Sequence, residues 1–170
     1  ILNITPNHLD RHADMGEYVS SKLNLLRWIP PEAQVILSGD DPVTASLGTT
    51  AATATEATGE RNQRASVPQA WAIDSLLDEM ASDLRDREIK QRFFSRATKL
   101  KCGGWVDDGT LMLDNSIICQ RDSLHLRGEH NVSNVLAAAV ISQAAGAKLK
   151  AIRKAIASFS GVAHRLEVIA

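Results

Sequence analysis

Apolar residues in this chain come in short runs closed by proline or by a glycine–aspartate turn, with helix-period stretches between them. Ile1 to Thr5 is one such run, ended by Pro6, and it reads as a buried strand entering a loop. The loop from Pro6 to His12 is dense in polar side chains. Asp14 suits the N-cap of a helix whose apolar residues Met15, Tyr18, Val19, Leu25, Leu26 and Ile29 recur at helical spacing, until Pro30-Pro31 stops it. Gln34 to Ser38 carries Val35-Ile36-Leu37 and predicts a second buried strand. Gly39-Asp40-Asp41-Pro42 then turns the chain into a short helix, with Pro42 fitted to its first turn. Strand, helix, strand, helix in this order predicts an α/β fold with a mainly parallel sheet flanked by helices.

The pattern breaks after Gly48. Thr49 to Gly59 is nearly all Thr, Ala and Glu, and Glu60 to Ser66 is polar, a composition expected of a mobile loop. From Trp71, the residues Ile73, Leu76, Leu77, Met80 and Leu84 mark an amphipathic helix with a charged outer face. Phe93 to Leu126 changes to a small β section. Gly103-Gly104, Asp107-Asp108-Gly109 and Asp114-Asn115 are its turns, Thr110 to Leu113 and Ser116 to Gln120 its antiparallel strands, and Leu124 to Arg127 a candidate for one more. Gly128-Glu129-His130-Asn131 opens a helix bearing Val132, Val135, Leu136 and Ala139, with Gly146 placed for its C-terminal cap. A further helix carries Leu149, Ile152, Ile156 and Phe159 and ends by Gly161, and Val162 to Ala170 reads as the start of a strand.

A chain of 170 residues can bury one substantial core, and with only 4% aromatic residues that core must be mostly aliphatic. The net charge of -1 gives no global reason to expect nucleic acid or a membrane surface as partner. No apolar stretch is long enough to span a bilayer and no signal peptide is visible. Cys102 and Cys119 are far apart and form no C-x-x-C, so they read as free thiols in a reducing cytoplasm.

Four places carry chemistry. His8-Leu9-Asp10-Arg11-His12 follows a strand end, where open α/β sheets bind ligands, and its alternating His and Asp can ligate a metal; the same residues equally suit a capped loop. Lys22 lies on the helix after that loop, a position otherwise typical of a surface lysine. Asn131 and Asn134 are three apart at a helix start, so both can face a nucleotide base or ribose, although Asn131 is also a natural cap. His164-Arg165 stands at a turn into a strand, where arginine can fork a phosphate or simply pair with Glu167. The chain contains no G-x-x-x-x-G-K-[S/T] phosphate loop, G-x-S-x-G elbow, H-E-x-x-H or G-x-G-x-x-G.

Order and wording connect these places. Leu2-Asn3-Ile4-Thr5-Pro6-Asn7-His8-Leu9-Asp10-Arg11-His12, followed by Tyr18 and Lys22, resembles the metal-binding stretch of Mur ligases. Gly128-x-His130-Asn131-x-x-Asn134-x-Leu136-Ala137-Ala138 resembles their nucleotide-binding helix start, and Phe159-x-Gly161-Val162-x-His164-Arg165-Leu166-Glu167 the end of their central domain. The resemblance implies that residues 1–162 are the C-terminal portion of a central ATP-binding domain, with 163–170 beginning the connection to a C-terminal domain. It covers Ile1 to about Gly48 and about Arg92 to Ala170, leaving 49–91 to be read as an insertion. It implies ATP and Mg2+ as cofactors. His8 would be a magnesium ligand, Lys22 a lysine carbamylated by carbon dioxide, and Asn131 and Asn134 contacts around adenine and ribose. Arg165 would hold the nucleotide, with His164 beside it; Asp10 and His12 match the motif without an assigned role. A carbamate supplies the hard anionic oxygens that magnesium prefers.

The histidine directly before Arg165, with Glu167 two positions on, points within the family to the branch that adds D-glutamate to UDP-N-acetylmuramoyl-L-alanine through an acyl phosphate in cell-wall synthesis. The phosphate loop, a magnesium-binding glutamate and both flanking domains are expected outside this chain, which alone should be inactive. Sister Mur ligases and folylpolyglutamate synthetases are the alternatives within the family. A metal-dependent hydrolase built on His8, Asp10 and His12, or a non-catalytic module docking through the helix near Trp71 to Leu84, are the alternatives outside it.

Overall fold

The computed structural model describes residues 1–6, 11–48, 67–126 and 128–161. The expected low-complexity loop and the final segment with His164 and Arg165 lie outside the described residues, as do His8 and Asp10. The elements run α1 (Met15–Arg27), β1 (Gln34–Ser38), α2 (Pro42–Ser46), a 3-10 turn (Gln69–Trp71) and α3 (Asp74–Asp86). They continue with β2 (Lys90–Ser95), β3 (Gly104–Asp107), β4 (Thr110–Leu113), β5 (Ser116–Gln120), a second 3-10 turn (Arg121–Ser123), α4 (Glu129–Ala144) and α5 (Leu149–Ser158). None of these helices is long and apolar enough to cross a membrane.

The strands form one mixed sheet in the order β1-β2-β3-β4-β5. β1 pairs with β2 in parallel from Gln34 opposite Lys90 to Ser38 opposite Phe94, and β3 joins β2 in parallel through Phe94–Gly104 and Ser95–Trp105. β3, β4 and β5 then pair antiparallel, with a register shift between Leu111 and Met112. Side chains alternate across a strand, so adjacent Phe93 and Phe94 enter opposite cores. Phe93 joins Val19, Leu23, Leu37, Leu77, Met80 and Leu84 under α1, α2 and α3, whereas Phe94 joins Leu111, Leu113, Leu136, Val140 and Ile152 under α4 and α5. Helices thus cover both faces, as a parallel sheet requires.

Three local expectations are corrected. Ile1 to Thr5 forms no strand: the Ile1 nitrogen donates to the Ile36 carbonyl at 2.9 Å, but the Ile4 amide turns to the Asp41 carboxylate at 2.7 Å instead of to a strand neighbour. Leu124 to Leu126 is likewise not a strand, because Gln120 leads into the 3-10 turn and the Leu124 amide closes it on Arg121. On α1 it is Leu23 that is fully buried, while Leu25 lies 67% exposed. Within the stretch 49–91, α3 lies between β1 and β2, and Lys90 belongs to β2. α4 approaches the sheet so closely that a Cβ on Gly104 would sit 3.0 Å from Val140 Cγ2 and 3.3 Å from the Leu136 carbonyl oxygen.

Candidate functional site

Since β1, β2, β3 and β5 all point one way, their C-terminal ends share one edge of the sheet, the edge at which open α/β sheets bind ligands. Asp41, directly after β1, organises it. Its carboxylate accepts from the Thr44 amide at 2.9 Å, capping α2, and from the Ile4 amide at 2.7 Å, which fixes the chain a few residues before His8. Asp41 is 7% exposed, so both bonds are shielded from water. Its neighbour Asp40 reaches sideways to the end of β2, accepting from the Ser95 hydroxyl, the Arg96 amide at 2.7 Å and the Ala97 amide at 3.3 Å.

α1 begins beside this edge. The Asp14 carboxylate accepts from the Glu17 amide at 2.8 Å while Glu17 accepts from the Ala13 amide at 2.6 Å, a reciprocal arrangement that sets the exit of the polar loop. His12 lies edge-on to Tyr18 with ring centroids 5.4 Å apart, and the Lys22 ammonium lies 5.4 Å from the same ring, one helical turn on. Lys22 is exposed, and His12 Nδ1 is buried, 4.0 Å from the Glu17 carboxylate and without a hydrogen-bond partner among the described residues. The end of the loop and Lys22 therefore meet over one aromatic ring. Among the described residues no group of three His, Cys, Asp or Glu is close enough to hold a metal.

α4 starts at the same edge. Gly128 is its N-cap, with φ 94° and no side-chain hydrogen bond, and the Asn131 amide donates to the Gly128 carbonyl at 3.1 Å. Asn131 therefore is not the cap that its position allowed; it sits inside the first turn, and Gly128 caps through its backbone because φ there is positive. A Cβ on Gly128 would lie 2.9 Å from the His130 ring. Glu129, the first helical residue, accepts from Arg96 Nη1 at 2.6 Å and from Arg121. Those two guanidiniums, Arg96 first, hold its carboxyl below the ordinary glutamate range. Asn134, one turn along, borders an apolar groove of about 370 Å³ shared by Leu126, Ala138, Ile152, Ile156 and Phe159. On the other flank Arg121, His125 and Val132 line a second, polar concavity beside Gly128.

The structure sets Lys22 on α1, over one face of the sheet, and Asn131 and Asn134 on α4, over the other. Sequence reasoning missed Asp40, Asp41, Arg96, Arg121 and Glu129 as parts of the sheet edge. Asp40 and Asp41 were visible in the Gly-Asp-Asp-Pro turn but read only as punctuation, and the arginines carry no local signal because their partner is distant in sequence.

A groove that is apolar on its walls and amide-bearing at its rim can accept a flat, largely apolar ligand with hydrogen-bonding edges. Helices on both faces of a sheet whose first three strands run parallel make this an α/β domain. The chain belongs to the Mur ligase family: residues 1–142 match the family model for the Mur ligase middle domain. It is 33% identical over 174 aligned positions to the UDP-N-acetylmuramoylalanine--D-glutamate ligase of Pelotomaculum thermopropionicum, and 31% identical over 171 to the enzyme of that name from Caldanaerobacter subterraneus subsp. tengcongensis. A third so named, from Halalkalibacterium halodurans, is 30% identical over 169. Each alignment takes in 99–100% of this chain, yet the chain spans only about 30% of the length of these relatives.

Proposed function

We propose that this chain supplies part of the ATP site of a ligase that joins D-glutamate to UDP-N-acetylmuramoyl-L-alanine. The observation that carries the reading is the match of residues 1–142 to the Mur ligase middle domain, and Lys22 on α1 with Asn131 and Asn134 in the first two turns of α4 support it. The names of the relatives support the choice of amino acid. They also favour a ligase over a metal-dependent hydrolase or a docking module.

Each residue then has a task. Asn134, at the rim of the apolar groove, hydrogen-bonds the heterocycle, and Asn131 works beside it on the ribose side. Arg165, with His164, grips the nucleotide from the segment beyond Gly161. His8 and Lys22, the latter as a carbamate, are the residues that would hold magnesium. What the ion supplies is positive charge against phosphate oxygens. The activated species in such a reaction is an acyl phosphate: a carboxylate oxygen bonds to the γ-phosphorus as the bond to ADP breaks, and the amine of D-glutamate then displaces phosphate. Positioning and electrostatics dominate this chemistry. A step that consumes ATP and a UDP-linked precursor belongs to the cytoplasm and feeds peptidoglycan synthesis, and through it cell shape and division.

The test is phosphate release from ATP by the intact parent polypeptide, given UDP-N-acetylmuramoyl-L-alanine and a panel of amino acids. Release that requires D-glutamate is the expected result, and it should vanish in Lys22→Ala. Release with a different amino acid alone would move the protein to a sister ligase. No release with any would sink the reading.

A further inference from the structure

We propose that Arg96, Arg121 and Glu129 are positioning residues for the nucleotide: they lock the first turn of α4 to the ends of β2 and β5, and thereby set Asn131 and Asn134. The inference rests on the nucleotide reading above and adds to it a set of residues outside the three sequence motifs that carried the resemblance, Glu129 excepted, which fills an unspecified position in one of them.

α4 begins on Gly128, which has no side chain to cap the helix and, lacking a Cβ, leaves the chain wide conformational freedom there. Packing of Val132, Leu136 and Val140 on the sheet fixes the body of α4. The first turn is tied down further by Glu129. Its carboxylate takes Arg96 Nη1 at 2.6 Å from one side and Arg121 from the other. Arg121 is itself anchored, for its amide donates to the Gly109 carbonyl at 2.8 Å in the β3–β4 turn. Arg96 is anchored through its backbone, which the Asp40 carboxylate holds at 2.7 Å. Asp40 also carries Ser95 and Ala97, so the end of β2 is tied to the end of β1 before Arg96 reaches across. The series Asp40, Arg96, Glu129, Arg121 therefore spans the ends of β1, β2 and β5 and stops at the helix start.

An isolated surface pair of this exposure contributes little. Here one carboxylate serves two guanidiniums and also lies at a helix N-terminus, where negative charge is favoured, so the contacts act together. Asn131 is two residues from Glu129 and Asn134 five, which places both within the turns that the lock governs. Freeing the lock lets the two amides wander, and the loss is felt as nucleotide affinity rather than as a missing contact.

The experiment measures ATP binding and steady-state kinetics on the intact parent polypeptide for Glu129→Ala, Glu129→Asp, Arg121→Ala, the double variant Arg121→Ala/Glu129→Ala, and Asn134→Ala. The expected results are a roughly fivefold or greater rise in the Kd and KM for ATP in Glu129→Ala, a kcat within about twofold, and a double variant no worse than the worse single one. Partial recovery is expected in Glu129→Asp. Asn134→Ala should also weaken ATP. If Asn134→Ala weakens ATP while Glu129→Ala does not, or if the two single effects simply add, the positioning role is wrong and the nucleotide site stands. If Asn134→Ala leaves ATP binding unchanged, both readings fall. A thermal melt separates misfolding from misplacement: an Arg121→Ala variant that melts like the parent and still binds ATP normally overturns the proposal.

Discussion

Replacing Asp41 with alanine should loosen the whole approach to the site. The Asp41 carboxylate accepts two shielded backbone amides, Ile4 at 2.7 Å and Thr44 at 2.9 Å, and the residue is 7% exposed. Alanine leaves both donors without an acceptor. A buried amide left unsatisfied costs about 1–3 kcal/mol, and here the lost acceptor was charged, so two such groups together amount to roughly 3 kcal/mol after some water entry. For a domain of this size that corresponds to a fall in Tm of roughly 6–12 °C. Asp41→Asn keeps one acceptor oxygen and should lose about half as much. Hydrogen exchange on the parent polypeptide gives the local reading. The Ile4 and Thr44 amides should lose protection in Asp41→Ala, while Phe93 and Leu136 in the two cores keep theirs relative to the lowered global stability. The reasoning fails if Tm moves by less than about 1 °C or if both amides remain protected.

Gly103→Ala should be more damaging than an alanine substitution normally is. φ there is 110°, and a Cβ would stand 2.0 Å from the Phe93 carbonyl oxygen, so a loss of about 3 kcal/mol or more is expected in a urea titration. Alkylation followed by mass spectrometry should label exposed Cys102 well before Cys119, because partial burial raises the Cys119 thiol and starves it of thiolate, outweighing a Ser123 hydrogen bond that lowers it. Equal labelling rates would refute this. Glu129 should titrate below the ordinary glutamate range by NMR. Its depressed value means that its contribution is complete above the unfolded pKa and disappears only as the pH falls through the folded one, so Glu129→Gln should differ from the parent at neutral pH and converge with it in strong acid.

Much of the fold was legible where a local rule had no competitor. Asp14 caps α1, Pro42 opens α2, Gly146 follows α4 with φ 90°, and the turn at Asp107-Asp108-Gly109 closes the β3–β4 hairpin. Reading failed where a distant group outbid the local pattern. The Ile1 to Thr5 run has strand composition, but the Ile4 amide prefers the Asp41 carboxylate, and no periodicity reveals that. Leu23 looks no more buried than Leu25 until the direction of the sheet is known. The site divides in the same way. Lys22, Asn131 and Asn134 could be singled out because each belongs to a worded motif, whereas Arg96 and Arg121 matter only through Glu129, which lies 33 and 8 positions away from them respectively.

The sheet also has two histories in one plane. β3, β4 and β5 follow one another through tight turns, so each pairing closes a short loop. β1 must wait for β2, since Gln34 finds Lys90 only after the whole α2–α3 stretch has been gathered in. Closing a loop of that length costs roughly 2 kcal/mol more entropy than closing a hairpin. The meander with α4 laid across it is therefore the part expected to assemble first, with φ-values near one in the β3–β4 hairpin and near zero in β1 as the kinetic signature. On that order of events the proposed nucleotide half of the site is set before the half that carries Lys22. Completion of the proposed ATP site would then coincide with the last and slowest step of folding.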